Sequence, residues 1–299
     1  MERQNKRVVD TDRLSDLPDH VLLHIIESMN IKQSVQTCVL SKRWKDLWKH
    51  LTNLKFHHSY PDNSDMFCKF VSQILSGRNH YIPLHSLDFE HEDCIDFEPK
   101  TTLLEVMRYA ASSHNMQQLT VYARIRKISD LELPPSIFYS RSLTYLKLGF
   151  WQIYGSNSGS NYVYDEAHNY NVVLCTPKLT SLTASGRPTF EAPSTHGLPF
   201  LEEVNIDYTY PYRPCEDSIM ISWLQLLANV KIMTLHFKTL VEILCILKMG
   251  AQPPCFVRLK SLKVELKSND DISNGKVRKI VKILLRNSPP AKVDIIRKG

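Results

Sequence analysis

The chain has 299 residues, 43% of them hydrophobic, with 37 Lys and Arg against 31 Asp and Glu. That composition excludes a largely disordered chain and allows a sizeable core in about two domains. Residues 1–20 are polar, and no apolar run comes near the roughly 18 residues of a spanning helix, so neither a secretory signal nor a membrane span is expected.

The seven cysteines, at 38, 68, 94, 175, 215, 245 and 255, are odd in number and none are spaced C-x-x-C. Free thiols in a reducing compartment, nucleus or cytoplasm, are expected, with no metal and no cofactor. Positive charge gathers at the C-terminal end, where twelve Lys and Arg face four Asp and Glu from residue 255 on. The lysines there alternate with Val, Ile and Leu, as on a solvated helix face.

Residues 1–12 form a polar lead-in. Ser15-Asp16-Leu17-Pro18-Asp19 then reads as a helix start, with Pro18 in the first turn and Asp16 or Asp19 accepting free amide hydrogens. Val21, Leu22, Ile25 and Ile26 make one apolar stripe. Asn30 marks a break, and Val35, Val39 and Leu40 belong to a second short helix beside Cys38. Ser41 is placed to cap a third, on which Trp44, Leu47, Trp48 and Leu51 share one face and Lys42, Arg43, Lys45 and Lys49 the other. Three short helices cannot bury Leu17, Val21, Leu22, Val39, Leu40 and both tryptophans among themselves. The excess predicts a partner surface. A DNA-reading helix over residues 42–49 is the rival reading, but the segment lacks the Asn, Gln and Arg run that reads base edges.

The stretch L-P-D-x-V-L-x-x-I-I, followed by S-V-x-T-x-V-L-S-K-R-W-K-D-L-W, resembles the F-box, particularly its plant form, over residues 13–56. It departs in carrying Asn30-Ile31-Lys32-Gln33 where the family has Pro-Thr-Lys-Asp, and Met29 for a usual Leu. Losing the Asp predicts a missing helix cap, worth about 1 kcal/mol. The resemblance implies a Skp-like adaptor as partner and, through it, a cullin. Carried over by position, Leu17, Pro18, Val21, Leu22 and Ile25 form one half of the contact, and Val39, Leu40, Lys42, Trp44 and Trp48 the other.

From residue 51 on, the template L-x-x-L-x-L recurs eight times, with middle positions at 54, 87, 119, 146, 182, 204, 233 and 262. The intervals run from 22 to 36 residues. Helical faces lie between: Phe67, Phe70, Val71, Ile74 and Leu75; Leu103, Leu104, Met107, Ala110 and Ala111; Met220, Trp223, Leu224 and Leu227; Leu240, Ile243, Leu244 and Leu247. A last helix over residues 276–285 precedes a short strand at 293–296. Strand-and-helix units that bury a shared core by stacking predict a curved solenoid with strands on its concave face. The repeats resemble the irregular leucine-rich repeats of plant F-box proteins, most closely at residues 133–138 leading into 142–148. From about residue 255 the tail is similar in part to the FBD-type domain of that family. The expected fold is therefore a mixed α-β solenoid: a three-helix F-box at 13–56, then an irregular leucine-rich-repeat solenoid over 57–299.

Two stretches interrupt the repeats and follow strand ends, which places both on one rim. Residues 150–171 carry Trp151 and Tyr154, and residues 207–217 carry Tyr208, Tyr210, Tyr212 and Arg213. Tyr, Trp and Arg supply most binding energy at interfaces, so these six are the candidate substrate-binding residues. No P-loop, dinucleotide fingerprint, G-x-S-x-G or H-E-x-x-H occurs. Glu90, Glu92 and Asp93 read as an exposed acidic cluster. The expected role is a non-catalytic substrate receptor of a Skp–cullin–F-box type ubiquitin ligase with a protein target. Nucleic acid bound through residues 42–49 or the basic C-terminus, or a small-molecule co-receptor role, are the alternatives.

Overall fold

The computed structural model describes residues 14, 16–58, 63–95, 97–125, 133–152, 174–186, 198–207, 224, 227–248, 250, 252–268 and 270–298. The N-terminal module opens with α1 (Asp19–Glu27), whose stripe buries Leu22 and Ile26. Pro18 is the residue before its first turn, and no side chain caps it. The Asp19 carboxylate instead pairs with Arg43, 2.7 Å away. A short α2 (Ile31–Gln36) follows, and here the missing-cap expectation is wrong: Asn30 Oδ1 accepts the Gln33 amide at 2.8 Å. Asn caps a helix about as well as Asp, so the changed motif keeps its function. Asn30→Ala is expected to destabilise the chain by about 1 kcal/mol in urea titration, and an unchanged midpoint would show the cap to be idle.

The third predicted helix is also corrected. Residues 41–46 are turns, and only Leu47–His50 form a single 3₁₀ turn, after another at Thr37–Val39. Trp44, Leu47 and Leu51 nonetheless reach the core, because turns at a similar spacing keep them on one side. Ser34, wholly buried, ties the module together by donating to the carbonyls of Ile26 at 2.8 Å and Asn30 at 3.1 Å.

The remainder is one nine-stranded parallel sheet whose spatial order follows the chain. Its strands are β1 (Asn53–His58), β2 (Ser86–Ile95), β3 (Gln118–Ile125), β4 (Tyr145–Gln152), β5 (Ser181–Gly186), β6 (Glu203–Asp207), β7 (Ile232–His236), β8 (Ser261–Lys267) and β9 (Lys292–Lys298). Between them run α3 (Ser64–Gly77), α4 (Phe97–Ser112), α5 (Pro135–Phe138), α6 (Phe237–Lys248) and α7 (Asn274–Leu284). The eight template positions form a single row of side-by-side partners: Leu54, Leu87, Leu119, Leu146, Leu182, Val204, Met233 and Leu262, continued by Val293. The first eight are all buried. Period-2 alternation sends every second side chain inward, so Leu54 and Phe56 are buried while Lys55 and His57 face out. Each fully buried Leu or Phe contributes about 1.5–3 kcal/mol.

A carbonyl relay holds the strand starts together. Thr52 O accepts the amides of His85 and Ser86, His85 O those of Gln117 and Gln118, and Gln117 O those of Thr144 and Tyr145. The same pairing continues through Thr180, Glu202 and Lys231. The helices cover the buried face with Val71, Ile74 and Leu75 of α3, Leu240, Ile243 and Ile246 of α6, and Val277, Val281 and Leu284 of α7. On α6 the face is turned slightly from expectation: Thr239 and Ile246 are buried, whereas Leu244 and Leu247 are half-buried. Met220 and Trp223 lie outside the described residues. The module's Leu22, Trp44 and Leu51 belong to the same hydrophobic core as Leu54 and Phe56, so no seam separates it from the sheet.

Candidate functional site

The N-terminal module divides its apolar residues between two tasks. Leu22 and Trp44 are buried in the chain's own core, at 0% and 3% exposure, while Val39 and Leu40 stand at 83% and 60%. Leu17, Val21, Ile25 and Trp48 are half-buried, and Pro18 and Lys42 are exposed. Two adjacent exposed β-branched or branched apolar side chains at that level have no intramolecular reason. The 3₁₀ turn at Thr37–Val39 presents them, and Thr37 Oγ1 fixes that turn by donating to Ser34 O at 2.7 Å. The Arg43–Asp19 pair joins the residue next to Pro18 to one three places after Leu40, bringing the two predicted halves together.

Charge around this surface is mainly positive. Lys32, Lys42 and Lys45 are exposed, while Lys49 pairs with Asp46 at 2.7 Å and lies 5.9 Å from the Trp48 ring centre. The hydrogen bond from Lys49 holds the Asp46 carboxyl below the usual carboxylate range. Because residues 41–46 are turns, 42–49 present no recognition helix, and a helix-turn-helix reading fails on geometry.

The outward face of the sheet gathers ionisable residues that lie far apart in sequence. His57 on β1 sits 3.2 Å from Asp88 and 4.0 Å from Glu90 on β2, and Lys147 on β4 lies 3.5 Å from Glu90. His57, Asp88 and Glu90 offer ligand atoms within 4.8 Å of one another, the one such set among the described residues. The Lys147 ammonium already neutralises Glu90, so ion pairing accounts for the arrangement. Sequence spacing could not reveal this cluster, since strand pairing assembles it. At the other end His236 lies between Asp207 at 3.5 Å and Glu265 at 3.1 Å, and Lys298 bonds Glu265 at 2.6 Å. Burial pushes the His236 imidazole below its ordinary value, outweighing the two carboxylates that pull it up.

Of the candidate substrate residues, Tyr154, Tyr208, Tyr210, Tyr212 and Arg213 lie outside the described residues. Trp151 has its backbone on β4, in register with Arg124 of β3.

Comparison with known proteins places these observations. The F-box domain model matches residues 14–56. An F-box/FBD/LRR-repeat protein of Arabidopsis thaliana is 33% identical over 150 residues, covering 47% of this chain and 32% of the relative. F-box/LRR-repeat protein 13 of the same plant is 27% identical over 140 residues, covering 46% and 31%. A further Arabidopsis F-box/LRR-repeat protein is 26% identical over 219 residues, 68% of this chain and 69% of the relative. The matched part thus spans under a third of the length of the first two relatives. With a matching domain that coincides with the buried-and-exposed pattern of Leu22, Trp44, Val39 and Leu40, the chain carries an F-box domain at residues 14–56 and is homologous to F-box/LRR and F-box/FBD/LRR-repeat proteins of Arabidopsis.

Proposed function

We propose that this chain is the substrate-recognition subunit of a Skp–cullin–F-box type ubiquitin ligase. The F-box docks a Skp-like adaptor and, through it, a cullin. Residues 57–299 form an irregular leucine-rich-repeat solenoid that holds a protein target, with an FBD-like end from about residue 255. Trp151, Tyr154, Tyr208, Tyr210, Tyr212 and Arg213 are the proposed target contacts. The chain acts in the nucleus or cytoplasm and supplies no catalytic residue: it raises the effective concentration of target beside a ubiquitin-loaded enzyme.

The observation that carries this reading is the exposure of Val39 and Leu40 inside the matched F-box. Together with Leu17, Pro18, Val21 and Ile25 they make the direct adaptor contact, flanked by Lys42 and Trp48. Leu22 and Trp44 support it from beneath, by holding α1 and the turns in place.

A Val39→Ala/Leu40→Ala variant is expected to lose about 2 kcal/mol of adaptor affinity, near thirtyfold, with its unfolding midpoint unchanged. Titration of the purified chain with a Skp-like adaptor measures it. Adaptor binding at wild-type strength would remove the basis for the proposal.

A further inference from the structure

Two open clefts, of about 430 and 380 Å³, lie side by side on the rim where β2, β3 and β4 begin. They share Ser113 and His114, and so form one trough. Tyr81 stands at one end, 96% exposed, and Tyr139 at the other, 53% exposed. The two tyrosines precede strands two places apart in the sheet, β2 and β4, which are themselves roughly 10 Å apart. His80 lines the first cleft with Tyr81, His114 lines both, and Arg141 lines the second with Tyr139. Among the described residues, no Asp or Glu lines either cleft. Arg141 is exposed and forms no ion pair among the described residues.

Exposed aromatic rings give rigid contact area at little entropic cost, and an unpaired guanidinium favours a carboxylate held through two parallel hydrogen bonds. An exposed guanidinium with no carboxylate among the described lining favours an anionic occupant. Arg78 also lines the first cleft but is buried and bonded to the carbonyls of Leu51 and Pro83, and the single exposed guanidinium of Arg141 is too little charge to track a phosphate backbone. Carboxylates spaced along a chain fit better.

We propose that this trough binds a short extended acidic peptide segment of a partner protein. Four or five residues, at about 3.3 Å each, span it. An aromatic or aliphatic side chain packs between the tyrosines, and a carboxylate meets Arg141. The trough lies on the rim opposite the C-terminal ends of β4 and β6, from which the proposed target loops leave, so it is a second contact surface of the receptor. It rests on the receptor reading only for its biological use; peptide binding itself is independent of the adaptor.

The test is selection of a phage-displayed random heptapeptide library on the purified full chain, followed by titration with the selected peptides made synthetically. A Tyr81→Ala/Tyr139→Ala/Arg141→Ala variant is the comparison, and Arg141→Glu is used alone should the triple variant melt early. Selected peptides are expected to carry two or more Asp or Glu beside an aromatic or aliphatic residue. Their affinity is expected to fall about tenfold in either variant, and to weaken in about 0.5 M NaCl. Peptides that are neutral or basic, binding unchanged by the substitutions, an empty selection, or displacement by a thymidine oligonucleotide would each overturn the proposal. Adaptor binding is measured in parallel, so that failure of the F-box reading is seen separately.

Discussion

Arg78→Ala is expected to destabilise the chain by about 3–4 kcal/mol, the largest loss for any single polar side chain described. Arg78 is the residue after α3 and is 4% exposed. Its guanidinium donates twice to Leu51 O, from Nε at 3.0 Å and Nη2 at 2.8 Å. Nη2 also donates to Pro83 O at 3.0 Å, and Nη1 to the Tyr109 hydroxyl at 3.2 Å. Leu51 follows the last 3₁₀ turn of the F-box, Pro83 precedes β2, and Tyr109 belongs to α4. One side chain thus bolts the N-terminal module to the first strand-and-helix units, beside a backbone bond from Asn79 N to Lys49 O at 3.1 Å. Alanine leaves the carbonyls of Leu51 and Pro83 without this donor, at about 1–3 kcal/mol for each buried group left unpaired. Urea titration measures the loss. Arg78→Lys keeps the charge but offers a point donor in place of a planar fork, and is expected to recover less than half of it. A loss under about 1 kcal/mol would mean that water replaces the guanidinium without strain.

The contrast between Arg78 and the leucine row shows what was legible beforehand. Leu54, Leu87, Leu119 and their successors announce themselves, because a buried strand face repeats every second residue and the template carries that period. Their recurrence agrees with a parallel sheet whose strand order follows the chain. Arg78 carries no such mark: its partners are backbone carbonyls, which every residue owns. The same limit applies to Asn30. Judged against a family motif it looked like a lost cap, whereas the capping chemistry needs only a short side-chain acceptor at the right place. Trp44 and Leu40 differ for a third reason. Both are large and apolar, and composition alone could say that some of the module's apolar residues must face outward, not which. The turns at 41–46 decide it by sending Trp44 inward and leaving Leu40 on the rim of a 3₁₀ turn. His57, Asp88 and Glu90 were invisible as a group because only the register of β1 and β2 assembles them.

Gly186→Ala is expected to cost about 3 kcal/mol, from two separable causes. Gly186 ends β5 with φ at +80°, opposite Phe150 of β4. A side chain in that left-handed region costs about 1–2 kcal/mol by itself. The second cause is contact: a Cβ there would lie 2.0 Å from Phe150 O and 2.8 Å from Phe150 C. Both are backbone atoms of a paired strand and cannot rotate aside. The end of β5 must therefore peel from β4, uncovering Phe150, which is 1% exposed. Gly250 separates the two causes. Its φ is +105°, yet a Cβ there meets nothing within 4 Å among the described residues. Gly250→Ala is thus expected to carry the conformational cost alone, about 1–2 kcal/mol, and the difference between the variants measures the steric part. Urea titrations of both give that difference, and amide exchange along β4 and β5 locates it. Equal losses, with β4 amides still protected, would show that the strand pair accommodates the methyl group and that backbone conformation is the whole reason for glycine at 186.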